Sequence, residues 1–116
     1  MRRFFKSFIY ALQGISISTR EQRNLKVQAF VGMLTVGAGL YFDITATEWC
    51  LILLVIGMVM GMEMMNSAVE SLVDLVTEEF KPLAGKVKDI AAGAVLFVSI
   101  LAVVIGLIIF KKYILA

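Results

Sequence analysis

The stretch GMEMMNSAVESLVDLV, residues 61–76, runs on without a break from WCLILLVIGMVM, residues 49–60. The first segment is uncharged and apolar enough to sit in lipid. The second brings in a glutamate, an asparagine, a second glutamate and an aspartate. Glu63, Asn66, Glu70 and Asp74 lie 3, 4 and 4 residues apart, so on a helix they form one stripe. Ser67 flanks it, and the rest of the helix is Met, Val, Leu and Ala. A charged side chain at mid-bilayer costs about 2.5–3.5 kcal/mol on insertion scales, and such residues face a partner or a wet cavity. Glu63 is the deepest and the most costly. One polar residue in such a helix reads as a helix–helix hydrogen bond; four in register, three of them acidic, read as a functional site.

The remainder of the chain agrees that its solvent is lipid. It has 116 residues, enough for a single domain, 1–116. Its 60% hydrophobic content exceeds the apolar share of about 45–50% in soluble domains. Apolar segments fall at roughly 27–42, 48–65 and 90–110. A spanning helix needs about 20 apolar residues; the third segment supplies them cleanly and the other two reach that length with their polar ends. Transmembrane helices are therefore expected over 27–42, 48–76 and 86–112. Residues 1–25 make a surface helix and its connection. At helical spacing Phe4, Phe8, Ala11, Leu12 and Ile15 gather on one face and Arg2, Arg3, Lys6, Tyr10 and Gln13 on the other, the pattern of an amphipathic helix lying in the interface. Lys6 interrupts the apolar run that a signal peptide would need. The expected fold class is an all-α membrane protein, one N-terminal amphipathic surface helix plus three transmembrane helices.

Loop charges orient it. Arg2, Arg3, Lys6, Arg20, Arg23 and Lys26 precede the first span, and Lys81, Lys86 and Lys88 follow the second, whereas the connection FDITATE (42–48) holds no Lys or Arg. The positive-inside rule places the N-terminus and the 77–88 loop, with its breakers Pro82 and Gly85, in the cytoplasm of a multi-pass plasma-membrane protein. Lys111 and Lys112 then lie outside, against the rule. Trp49 and Tyr41 read as interfacial anchors on that side, and Gly57 and Gly61 as a GxxxG contact between helices.

Absences narrow the chemistry. Cys50 is the only cysteine and there is no histidine, which excludes an intrachain disulfide, a thiolate metal cluster and histidine-based catalysis. A net charge of +2 makes no case for nucleic acid as a partner. Any metal is held by oxygen, hence magnesium, calcium or manganese. Lys88, followed by Asp89, stands at the mouth of the third span. Alone it would read as a snorkelling lysine; opposite an acidic stripe it suits a phosphate. There is no GxxxxGK[ST] loop and no glycine-rich loop of protein-kinase type. The residues themselves thus describe a cytoplasm-facing, oxygen-lined cation site at a membrane interface. A small transporter or ion-conducting oligomer is the alternative, but a transport path needs polar residues across the whole membrane, and here they crowd toward one face.

EMMNSAVESLVD (63–74) followed by AGKVKDIAAGAVL (84–96) resembles the diacylglycerol kinase and undecaprenol kinase family of small prokaryotic integral-membrane lipid kinases. The pattern ExxNSAxExxxD, then KDxxAGAVL, carries the likeness, which extends over nearly the whole chain, including REQRNLKVQ (20–28). The resemblance implies a homotrimeric helical bundle that transfers the γ-phosphate of ATP, with Mg2+, to a lipid hydroxyl. By position, Glu63 looks like the general base that takes the hydroxyl proton. Asn66 would bond the transferring phosphate or orient the base. Glu70 resembles the magnesium-binding glutamate, and Lys88 with Asp89 the pair that grips the nucleotide. Asp74 and the segment Glu79, Phe80, Lys81 lie where the family contacts the nucleoside end, and Arg3 and Tyr10 match positions that reach the phosphates.

The second metal-binding glutamate of the family falls two residues before the asparagine of its ERN-type motif. Here that position is Gln22, preceded by Glu21. Either Glu21 serves after a local shift, or Gln22 supplies a neutral oxygen. For the lipid, NLKVQ (24–28), ITATEWC (44–50) and DIAAGAVL (89–96) look like the undecaprenol kinase branch, although Gln28 stands where that branch often carries histidine. Met64, among four methionines between Met60 and Met65, lies with Glu63 and Gln28 where the lipid acceptor would sit. A catalytically inactive family member is the other alternative, opposed by the intact set Glu63, Asn66, Glu70, Lys88 and Asp89.

Overall fold

The computed structural model describes residues 1–116, all of whose regular structure is helical: α1 Arg2–Glu21, α2 Arg23–Phe42, α3 Ala46–Val76 and α4 Pro82–Ile114. Helices α2, α3 and α4 are long and apolar enough to cross a membrane. Their lengths differ in a way that matters. At a rise of 1.5 Å per residue, the 20 residues of α2 span about 30 Å, while the 31 of α3 and the 33 of α4 span about 46 and 50 Å. A hydrocarbon layer about 30 Å thick takes in all of α2 but leaves the last three turns of α3 and the first turns of α4 outside it. The polar half of the stripe lies in that overhang.

Local chemistry sets the boundaries. Gln22 alone separates α1 from α2; its extended backbone (φ −99°, ψ 111°) makes the junction a corner. Helix α2 ends at Asp43, whose left-handed conformation (φ 51°, ψ 57°) a short acidic side chain tolerates. Two residues later the Thr45 hydroxyl accepts from the Glu48 N–H at 3.2 Å, and the Glu48 carboxylate accepts from the Thr45 N–H at 2.9 Å. This capping box starts α3. Pro82 opens α4 at a position where a missing N–H does no harm.

The chain therefore runs up α2, down α3 and up α4. The α2–α3 turn and the end of α4 meet at one end of the bundle, the α1–α2 corner and the 77–81 loop at the other. Helices α3 and α4 form the main antiparallel pair, α2 packs on α3, and α1 buries none of its residues. The core sits at the turn end, where Ile44, Ile52 and Ile109 pack with Phe42, Trp49, Ile56 and Phe110. Only ten of the 116 residues are buried, so most of the apolar surface of a single chain is left for lipid or for further copies. Gly57 and Gly61 have open space where a Cβ would stand; their GxxxG makes no helix contact within the chain.

One sequence expectation is modified here. Tyr41 is exposed, as an interfacial anchor is, but the Trp49 ring turns inward. Its edge lies 2.8 Å from where a Cβ on Gly39 would stand, with Ile44 at 3.1 Å. Gly39→Ala should accordingly force the indole or the turn aside and cost about 1–3 kcal/mol. Thermal unfolding in detergent, with Gly57→Ala as the unhindered comparison, measures it; equal Tm values for the two variants would show that the indole moves freely.

Candidate functional site

Glu63 lies on α3 with only 7% of its surface exposed, and no side chain or backbone group of the chain hydrogen-bonds its carboxylate. An unpartnered carboxylate in an apolar setting is costly. One turn on, the Asn66 side-chain N–H donates to Glu70 Oε1 at 3.3 Å. The Asn66 Oδ1 is buried and has no partner, a free acceptor beside the carboxylates. Ser67 is engaged elsewhere: its hydroxyl donates to the Glu63 backbone carbonyl at 3.0 Å, back-bonding within its own helix.

The next residue of the stripe reaches α4. Lys88 Nζ lies 2.7 Å from Asp74 Oδ1, a bond across the two long helices. Asp89, its neighbour in sequence, points elsewhere and lines a cavity of about 580 Å³ with Phe80, Pro82, Gly85 and Lys86. Lys88 and Asp89 thus diverge. A second cavity, about 900 Å³, gathers Asp74, Glu79 and Lys81 under Leu72, Leu83 and Val87, so Phe80 is parted from the two residues on either side of it. A third, about 640 Å³, is an apolar groove between α2, α3 and α4 in which Gln28, Thr35 and Ser99 are the polar lining. Met64 is half-buried on α3 beside Glu63 and outside that groove.

The remaining candidates take part in none of these bonds or cavities. Arg3 and Tyr10 are exposed on α1 with no side-chain partner; Glu21 is exposed at its end, and Gln22 is half-buried at the corner. No three acidic groups converge to enclose a cation. That donor set still fits magnesium, which is held through one or two carboxylates and completes its shell with water and substrate phosphates. Glu70, with one oxygen fixed by Asn66, is the carboxylate available for it.

The far end of the bundle holds an arrangement that sequence reasoning missed. Glu48 is buried, and besides capping α3 it takes an ion pair from Lys112 Nζ at 2.6 Å and a hydrogen bond from the Tyr113 hydroxyl. Lys112, which breaks the positive-inside pattern, has its charge matched by an acid on the neighbouring helix. The signal was present in the sequence as Thr45-x-x-Glu48; its tie to residues 112 and 113 was not.

Comparison with known proteins gives a consistent set of relatives. The family model described as prokaryotic diacylglycerol kinase matches residues 9–110. The undecaprenol kinase of Bacillus subtilis is 39% identical over 110 residues, which cover 95% of this chain and 89% of that protein. The diacylglycerol kinase of Synechocystis sp. is 39% identical over 101 residues, 86% of this chain; the matched region spans 58% of that longer protein. The diacylglycerol kinase of Escherichia coli K12 is 28% identical over 102 residues, 88% of this chain and 84% of that protein.

Proposed function

The chain belongs to the prokaryotic diacylglycerol kinase family, and from that premise we propose that it transfers the γ-phosphate of ATP, with Mg2+, to the hydroxyl of a membrane lipid alcohol. Undecaprenol is the acceptor we favour and diacylglycerol the second. The relative named undecaprenol kinase is 39% identical over nearly its full length, against 28% for the E. coli diacylglycerol kinase.

The observation that carries this reading is Glu63, a buried residue whose carboxylate no group of the chain bonds, one turn from an unsatisfied amide oxygen. In the proposed reaction the Glu63 carboxylate takes the hydroxyl proton as the lipid oxygen bonds to the γ-phosphorus and the bond to ADP breaks. Asn66 holds Glu70 in place through its side-chain N–H and, by position, orients the base or bonds the transferring phosphate. Glu70, with Gln22 or Glu21, would hold the magnesium, which would supply positive charge to neutralise the phosphates. Lys88 brings an ammonium to the same phosphates. Arg3 and Tyr10 on α1, and Glu79, Phe80, Lys81 and Asp89 around the two loop cavities, complete the nucleotide contacts. In this reading α1 lies on the cytoplasmic face with its apolar side in the membrane, and a homotrimer covers the apolar surface that one chain leaves exposed.

The deciding experiment uses purified full-length protein in mixed micelles, with γ-labelled ATP, magnesium, and undecaprenol or diacylglycerol. Label is expected in undecaprenyl phosphate, several-fold faster than in phosphatidic acid. Label in neither, from folded protein, would refute the kinase reading and favour the transporter or inactive alternatives. The reverse ratio would replace the acceptor.

A further inference from the structure

Two ion pairs join α3 to α4, one at each end, and the one at the site end joins Lys88 to Asp74. We propose that Asp74 is a positioning residue: it holds the Lys88 ammonium on the α3 side of the site, beside Glu70, so that lysine and metal meet the phosphates of ATP together. This rests on the lipid-kinase reading and gives Asp74 a role other than contact with the nucleoside.

Three observations support it. Glu70 and Asp74 are four residues apart on one helix, so their side chains stand on one face, about 5–6 Å apart at Cβ. Whatever Asp74 holds is therefore one turn from Glu70. Lys88 Nζ, which comes from α4, is held across the helix pair at 2.7 Å. Lysine carries its charge on a flexible four-carbon stem, and the only acid next to it in sequence, Asp89, faces a different cavity. Asp74 is the one side chain that Lys88 bonds.

The strength of the pair suits the task. The two side chains are 40% and 62% exposed, and an ion pair in such a setting is weak. It orients Lys88 while the site waits, and it yields when a triphosphate offers more negative charge and more oxygens.

The test is a double-mutant cycle on full-length protein, read by equilibrium binding of labelled Mg·ATP and by ATP KM and kcat with lipid. Asp74→Asn should raise the ATP Kd and KM about 3- to 10-fold, a coupling usual within one ion-pair network, with kcat nearly unchanged. Asp74→Glu, which keeps the charge, should recover most of that. Adding Asp74→Asn to Lys88→Met should change ATP binding no further, because the positioned group is gone. An equal loss from Asp74→Asn in both backgrounds would mean that Asp74 touches the nucleotide itself and would overturn the proposal. So would an unchanged Kd in Asp74→Asn, or a loss in Asp74→Glu as large as that in Asp74→Asn. Thermal melts check that each variant is folded. Failure of the kinase reading looks different: the wild-type chain would bind ATP and label no lipid, while the cycle remains readable from binding.

Discussion

Glu63→Gln is expected to lower kcat by about 10²- to 10⁴-fold, the usual contribution of a positioned general base, while ATP binding and folding persist. Glutamine keeps the shape of the side chain and removes only the group that accepts the proton. Glu63 is buried and bonded to nothing in the chain, so no protein partner is orphaned by the exchange. Removing an unpaired charge from an apolar setting should leave stability equal or higher. Single-turnover transfer from γ-labelled ATP reads the chemistry, and a thermal melt with labelled-ATP binding reads the rest. A variant that loses ATP binding and Tm along with turnover would make Glu63 a structural residue and remove the base from the mechanism.

The second large effect concerns stability at the opposite end. Glu48→Ala should lower Tm by several degrees, more than Glu48→Gln or Lys112→Met, because one carboxylate serves three partners on two helices. Its loss leaves the Thr45 N–H, the Tyr113 hydroxyl and the Lys112 ammonium without their acceptor at once. Glu48→Gln retains an oxygen for the cap and for Tyr113. Lys112→Met removes only the ion pair. At temperatures where Glu48→Ala is still folded its transfer rate should match wild type, since Glu48 and Glu63 are 15 residues apart on one helix, about 22 Å by helical rise. Equal Tm values for Glu48→Ala and wild type would show that the cluster contributes nothing to the fold. A slower rate from fully folded variant would show instead that the two ends are coupled.

Much of this was legible in the sequence. Lipid thickness and helical rise fix how long a spanning segment must be, so apolar run length was enough to expect three spans; the helices run beyond the expected 27–42, 48–76 and 86–112 by residues 23–26, 46–47, 82–85 and 113–114. The relation of Asn66 to Glu70 was equally accessible, because a spacing of four on a helix is a contact by geometry. Trp49 was harder. A tryptophan near a span end fits a membrane interface and a core equally well, and only the glycine ten residues before it, across a turn with Asp43 in the left-handed region, shows that the ring folds inward.

What the sequence by itself determined is therefore everything that a single helix decides: which segments are helical and apolar, that α3 carries a stripe of acids with an amide, and that the chemistry must run on oxygen ligands without histidine or thiolate. The tertiary structure alone decided the pairs. Lys88 meets Asp74, 14 residues back, and not its neighbour Asp89; Glu48 meets Tyr113 across 65 residues, with Lys112 beside it. Spacing along one helix follows from its fixed pitch, whereas the partner across an antiparallel helix pair depends on their register, which loop lengths and side-chain packing set together and no local pattern records.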